Sequence, residues 1–154
     1  KACQPHTRDE VQIGAFTVKA SSIGAPTHAF VNHPVEAALF LDSQWNGRIG
    51  TDFPSSDLIR VYAWPDFGVI DISQLHELVG WVTQALESDK TVDVGCLGGH
   101  GRTGSLLAAL VAEVESRSGD EAVNDIRIRY CIEAVEGKQD RLVADYASTL
   151  EKGT

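Results

Sequence analysis

The sequence predicts a single α/β domain over residues 1–154, with a central mixed, mostly parallel twisted sheet flanked by helices and a helical C-terminal part. Three observations predict it. Short β-branched and apolar runs alternate with segments of helical period up to Ser116. Two further helical segments then close the chain. Finally, 154 residues suffice for one core and are too few for two ordinary domains, and no repeat, low-complexity tract or charge run marks a linker.

The elements follow in order. Val11-Gln12-Ile13-Gly14-Ala15 alternates with period two, and Ala37-Ala38-Leu39-Phe40-Leu41 is a compact apolar run. Both read as strands. Asn46-Gly47 and Pro54-Ser55-Ser56-Asp57 carry turn chemistry. Leu58 to Ala63 is a β-branched third strand, which ends at Pro65. Asp71 with Gln74 three residues on forms a capping-box signature, and Ile72, Leu75, Val79, Val82 and Leu86 recur at helical spacing behind it. Thr91 to Gly95 reads as a strand, and a glycine-rich segment separates it from a helix over Ser105 to Ser116. Two helices are expected over Asp120–Cys131 and Lys138–Leu150.

Composition narrows the function. Apolar residues make up 43% and charged residues 23%, the balance of a globular domain. No apolar run approaches the roughly 20 residues needed to span a bilayer. The formal net charge of -9 repels nucleic-acid backbones and anionic membrane surfaces, so neither partner is expected. A phosphate-bearing ligand would need a local island of positive potential. Cys3, Cys96 and Cys131 have neither metal-ligand spacing nor a disulfide framework. Their odd number fits a reducing compartment, and with no leader visible after Lys1 the chain is expected in the cytoplasm. The sequence holds no methionine, so a start upstream of Lys1 is expected.

The segment Cys96-Leu97-Gly98-Gly99-His100-Gly101-Arg102-Thr103-Gly104 supplies that island. Glycines let successive backbone N–H groups turn inward into an anion-binding nest. The helix that follows adds the positive end of its dipole. Arg102 offers a planar, two-pronged donor to two oxygens of a phosphate or other oxyanion. A thiol in this setting is favoured as thiolate, which places Cys96 beneath a cradled phosphate for in-line attack. The same glycines would also serve an ordinary strand-to-helix turn, so a second motif has to decide. Departure of an alkoxide or phenoxide needs a proton, and Asp66, on a loop between Pro65 and Gly68, is the candidate donor.

With these residues the sequence resembles the protein tyrosine phosphatase superfamily. Trp64-Pro65-Asp66-Phe67-Gly68-Val69 is similar to that family's mobile general-acid loop, and Cys96 to Gly104 to its phosphate-binding signature. The order of the two motifs and their separation of about thirty residues also match. Ala134 to Gln139 more loosely resembles the segment whose glutamine orients water. The size is that of the compact dual-specificity branch, whereas the Trp64-Pro65-Asp66 loop is like that of the larger tyrosine-specific branch. The resemblance implies a phosphatase-like fold and a phosphocysteine intermediate on Cys96, with Asp66 as acid and then base, and with Arg102 and the backbone amides of Leu97, Gly98, Gly99, His100, Gly101 and Arg102 holding the oxygens. It further implies that Thr103 stabilises the departing thiolate, that Gln139 assists water, and that no metal or organic cofactor takes part.

Two departures stand out. Gly95 occupies the position where the family usually has histidine, and His100 stands where relatives carry aliphatic, aromatic or lysine side chains; His100 is expected to point outward, the alternative being a donor beside the bound substrate. His6, His28, His33 and His76 show no ligand spacing and are expected at the surface or in loops. Trp45 and Trp81 are expected to pack, Cys131 to be a small buried side chain on a helix, and Cys3 to be a remote trap for an oxidised Cys96. The expected substrate is phosphotyrosine in proteins or peptides, with dual specificity open. The alternatives are a phosphoinositide, an RNA 5′ phosphate, or a phosphate-binding module without turnover. Sulfur transfer and arsenate reduction leave Asp66 unexplained.

Overall fold

A computed structural model describes residues 5–32, 34–50 and 57–152. Its sheet has the order β1-β2-β5-β3-β4, built from β1 (Asp9–Ile13), β2 (Phe16–Ser22), β3 (Ala37–Phe40), β4 (Ile59–Val61) and β5 (Val92–Cys96). β1 is antiparallel to β2, and every other pair is parallel. The helices are α1 (Thr27–Asn32), α2 (Ile72–Glu87), α3 (Gly101–Val114), α4 (Gly119–Arg129) and α5 (Gln139–Lys152).

The expected mixed, mostly parallel sheet is present, and alternation along β3 shows how it is covered. Ala37 and Leu39 face the main core with α2, α3, α4 and α5, while Ala38 and Phe40 face a smaller cluster with Ala25, Phe30 and Trp45. Crossovers on opposite faces thus meet at β5, and the ends of parallel strands at such a switch point open a crevice for ligands. The Asp71–Gln74 capping box starts α2, as the sequence predicts. α3 begins four residues earlier than expected, at Gly101, because the glycine-rich segment winds directly into it. Cys131 is buried as expected, but it lies beyond α4 instead of on a helix, and it is disulfide-bonded. β2 went unseen in the sequence, and Asn46-Gly47 belongs to a 3-10 helix over Ser43–Gly47. Cys3, His33 and Pro54 to Ser56 lie outside the described residues. No helix among the described residues is long and apolar enough to cross a membrane.

A buried polar knot holds β5 beside β2. Asp93, fully buried, accepts from Arg8 Nε at 3.1 Å and from Ser21 Oγ at 2.9 Å, and Arg8 Nη1 reaches the carbonyl of Phe30 at 3.1 Å. Burial pushes the Asp93 carboxyl up to about 6, against the downward pull of Arg8 and Ser21. A raised carboxyl contributes stability below its unfolded value of about 3.9 and loses it as pH rises through the folded value. Replacing Arg8 with methionine strands the carboxylate and is expected to cost about 3–5 kcal/mol at neutral pH. That loss should shrink on acidification as Asp93 takes up a proton, which urea denaturation at pH 7.5 and pH 5 (roughly, one on each side of the raised value) would measure.

Candidate active site

The loop from Cys96 to Gly101 leaves the C-terminal end of β5, the central strand, and is held from both sides. Ser22, paired with Cys96 in register, donates its hydroxyl to the carbonyl of Gly98 at 2.7 Å. The Tyr130 hydroxyl donates to the carbonyl of Gly99. Burial pushes that phenol far above its ordinary value, so it stays a donor. Gly99 has φ +79°, and a Cβ there would stand 2.8 Å from Ser22 Oγ. The loop therefore needs glycine at this point both for its backbone conformation and for the closeness of β2.

Cys96 is buried, and its carbonyl accepts from Trp45 Nε1 at 3.1 Å. Trp45 stacks on Phe40 with ring centroids 3.9 Å apart, and this stack accounts for Gly95. A Cβ on Gly95 would lie 3.0 Å from Trp45 Cζ2, 3.1 Å from Phe40 Cδ1 and 3.1 Å from the carbonyl of Ser21. The space a histidine would need is filled by aromatic rings. Replacing Gly95 with histidine is expected to destabilise the fold by roughly 1–3 kcal/mol or more through overpacking, read as a lower urea midpoint.

Arg102 is almost fully buried. Its Nη1 donates to the Trp64 carbonyl at 2.8 Å, to Asp42 Oδ2 at 2.9 Å and to the Leu41 carbonyl at 3.3 Å. Its Nη2 lies 3.3 Å from Asp66 Oδ1. One edge of the guanidinium is thus anchored in protein while the other faces the loop carrying Asp66. That loop is shaped by Trp64, whose Nε1 donates to the carbonyl of Gly68 at 2.8 Å. Phe67 sits at φ +57° and is 64% exposed, an unusual conformation for a side chain of this size, beside Asp66. Asp66, Phe67, Cys96, Arg102 and Glu136 share a pocket of about 370 Å³ with the loop residues Leu97, Gly98, His100 and Gly101. A larger cavity, about 860 Å³, lies elsewhere, between Val69–Ile72 and α5, and four aspartates line it. We place the chemistry in the smaller pocket, because the thiol and the guanidinium meet there.

The other expected residues are placed as follows. Gln139 is fully buried and does not face the pocket. Its Nε2 donates to the Gly68 carbonyl at 3.1 Å, and its Oε1 accepts from Glu136 N–H at 2.9 Å and Ser105 Oγ at 3.2 Å. Within the same segment it is Glu136 that reaches the pocket, its carboxylate accepting from the N–H of Gly101. Burial first, and then the neighbouring Asp66 and Glu133, raise Glu136 above its ordinary value. Thr103 Oγ1 is buried without a hydrogen-bond partner among the described residues, and so makes no bond to the Cys96 sulfur. His100 does not point away into solvent as expected. Its ring meets His6 edge-on, with centroids 5.2 Å apart. Burial, and then His6, lower its pKa. Asp42 and Glu136 escaped the sequence reading, although a carboxylate just beyond a parallel strand's C-terminal end was a usable signal for Asp42.

Comparison with known proteins gives the family and the fold. The family described as "Polymorphic toxin system, DSP-PTPase phosphatase" matches residues 19–115. Two uncharacterized proteins of Methanocaldococcus jannaschii are similar in sequence. MJ0215 is 32% identical over 89 residues, covering 57% of this chain and 54% of that one, and MJECL20 is 29% identical over 82 residues, covering 53% and 54%. The chain therefore spans about half the length of these curated relatives. Among solved structures, Tk-PTP in its active form superposes with a TM-score of 0.71 at 23% identity, over 91% of this chain and 96% of that one. PTPMT1 in complex with PI(5)P gives 0.74 at 16%, over 94% and 99%. Kinase associated phosphatase gives 0.75 at 13%, over 96% and 98%. These likenesses show the fold, and the family match extends from β2 through α3, across both the loop of Asp66 and the loop of Cys96. The chain belongs to the DSP-PTPase phosphatase family of polymorphic toxin systems, within the protein tyrosine phosphatase superfamily.

Proposed function

We infer that this chain hydrolyses phosphate monoesters, phosphotyrosine in proteins or peptides foremost, through a phosphocysteine on Cys96. The observation that carries this reading is the single pocket joining Cys96, Arg102 and Asp66. The Cys96 thiolate attacks phosphorus as the bond to the ester oxygen breaks, and Asp66 gives its proton to that oxygen. Water then attacks phosphorus and gives a proton back to Asp66 as the sulfur–phosphorus bond breaks. Arg102 and the amides from Leu97 to Arg102 hold the oxygens in both steps.

Thr103, whose hydroxyl has no hydrogen-bond partner among the described residues, is available to the thiolate as it leaves. Glu136, on the pocket wall beside Asp66, is the group placed to orient water. Gln139 acts as a positioning residue, tying the acid loop at Gly68 to α3 at Ser105.

Phosphotyrosine is favoured by the lining. Exposed Phe67 offers an aromatic face at the rim, whereas the carboxylates of Asp66 and Glu136 repel a ligand carrying several phosphates. PTPMT1, similar in fold, has been solved with PI(5)P, so a phosphoinositide is the comparison to make. Values of kcat/KM should be measured for a phosphotyrosine peptide, a phosphoserine peptide and PI(5)P in vesicles. The phosphotyrosine peptide is expected to lead by at least about tenfold, or roughly 1.4 kcal/mol of transition-state stabilisation. A lead for PI(5)P would overturn the protein-substrate reading, and no turnover of any of the three would leave a phosphate-binding module.

A further inference from the structure

We propose that the reduced protein binds one zinc ion between His6, His100 and Cys131, behind the loop of Cys96. The sequence reading found no ligand spacing among the histidines and cysteines, but the fold brings these three together from separate segments. His6 precedes β1, His100 lies in the glycine-rich loop, and Cys131 follows α4. Each offers a ligand atom, and the three atoms lie within 4.8 Å of one another. Zinc bonds of about 2.0–2.3 Å in a tetrahedral site set ligand atoms roughly 3.3–3.8 Å apart, so closure requires a shift of about 1 Å.

Two independent observations point to a shared ligand. His6 is 5% exposed, and its Nε2 is buried without a hydrogen-bond partner among the described residues; the same holds of His100 Nε2. A fold seldom leaves even one such atom unsatisfied. Asp9 supplies the second observation. Its carboxylate lies 2.6 Å from His6 Nδ1, which holds the ring proton there and leaves the Nε2 lone pair turned to the cluster. A carboxylate behind a histidine in this way orients the ring and raises its basicity toward a metal.

Cys131 is disulfide-bonded in this structure, and that sets the condition for binding. A dithiol reductant delivers two electrons and two protons to the disulfide and closes to its own disulfide. The Cys131 thiol then loses its proton as sulfur bonds to zinc. The fourth position is left to water or another donor. The consequence is mechanical: the ion fastens the glycine-rich loop, through His100, to the segment before β1 and to the turn after α4. A disulfide oxidant takes the two electrons back, becoming a dithiol as Cys131 re-forms its own disulfide, and the metal leaves.

The test uses the full chain carrying Cys96→Ser, so that the reactive-loop thiol cannot take the ion. Protein reduced with a phosphine is expected to retain one zinc per chain after gel filtration, and the oxidised protein none. Cobalt(II) in its place should show a thiolate-to-metal charge-transfer band that Cys131→Ser removes. Asp9→Asn touches a half-exposed side chain and should leave the circular dichroism unchanged while weakening zinc by 10–100-fold, the usual effect of losing such a partner. Equal zinc retention by oxidised and reduced chains, no zinc on folded reduced chain, or an unchanged affinity in Asp9→Asn would each overturn the proposal.

Discussion

Cys96→Ser is expected to lower turnover of p-nitrophenyl phosphate by roughly 10⁴–10⁶-fold, the scale on which enzymes lose rate when a covalent nucleophile is removed. Serine is nearly isosteric, and the surroundings of this side chain are fixed through the backbone. The Cys96 carbonyl is held by Trp45, and the following loop by Ser22 and Tyr130. The variant should therefore fold with an unchanged denaturation midpoint and still bind inorganic phosphate in the loop. Loss of turnover with retained phosphate binding separates a missing nucleophile from a collapsed pocket. Turnover within tenfold of wild type, measured with chelator present, would place the chemistry on another group and would require a mechanism without phosphocysteine.

What the sequence made legible was the local structure that runs along the chain. Cys96 to Thr103 is one strand-to-helix turn, and Trp64 to Val69 is one loop, so residue type and spacing sufficed for both. The α2 cap was legible for the same reason, since Asp71 and Gln74 are a local pair. β2 was not, because its buried half ends in Ala20-Ser21-Ser22, where hydroxyls replace apolar side chains. Those serines are buried to serve distant partners, Asp93 and Gly98, and no hydrophobic period records that. Glu136 and Gln139 show the same limit at closer range. Both lie in the segment the sequence singled out, yet which of them faces the pocket depends on the turn before α5, where Val135 takes φ +66°. The pairing of His6 with His100 depends wholly on tertiary packing.

Asp66→Ala is expected to reduce kcat by roughly 10²–10⁴-fold, the usual share of general-acid catalysis. The structure adds a second expectation, in the opposite direction, for binding. Asp66 Oδ1 lies 3.3 Å from Arg102 Nη2, so with no substrate bound the carboxylate takes the guanidinium edge that a phosphate would use. Arg102 has its other terminal nitrogen already committed to Trp64, Asp42 and Leu41, and cannot turn to serve both anions. Removing the carboxylate takes away this competitor, and KM should fall while kcat falls much further. The limb of the pH–rate profile on which the wild type slows as the acid loses its proton should flatten as well. Asp66→Asn separates the two effects, because the amide keeps the size of the side chain but donates no proton: kcat should drop as in Asp66→Ala. A variant with lowered kcat, raised KM and an unaltered pH profile would instead mark Asp66 as a residue that merely shapes the loop. The variant's turnover of a substrate with a good leaving group, such as p-nitrophenyl phosphate, should suffer least, since less protonation is needed there. The loss should therefore be larger on a phosphotyrosine peptide than on p-nitrophenyl phosphate, and an equal loss on both would argue against proton donation to the leaving oxygen.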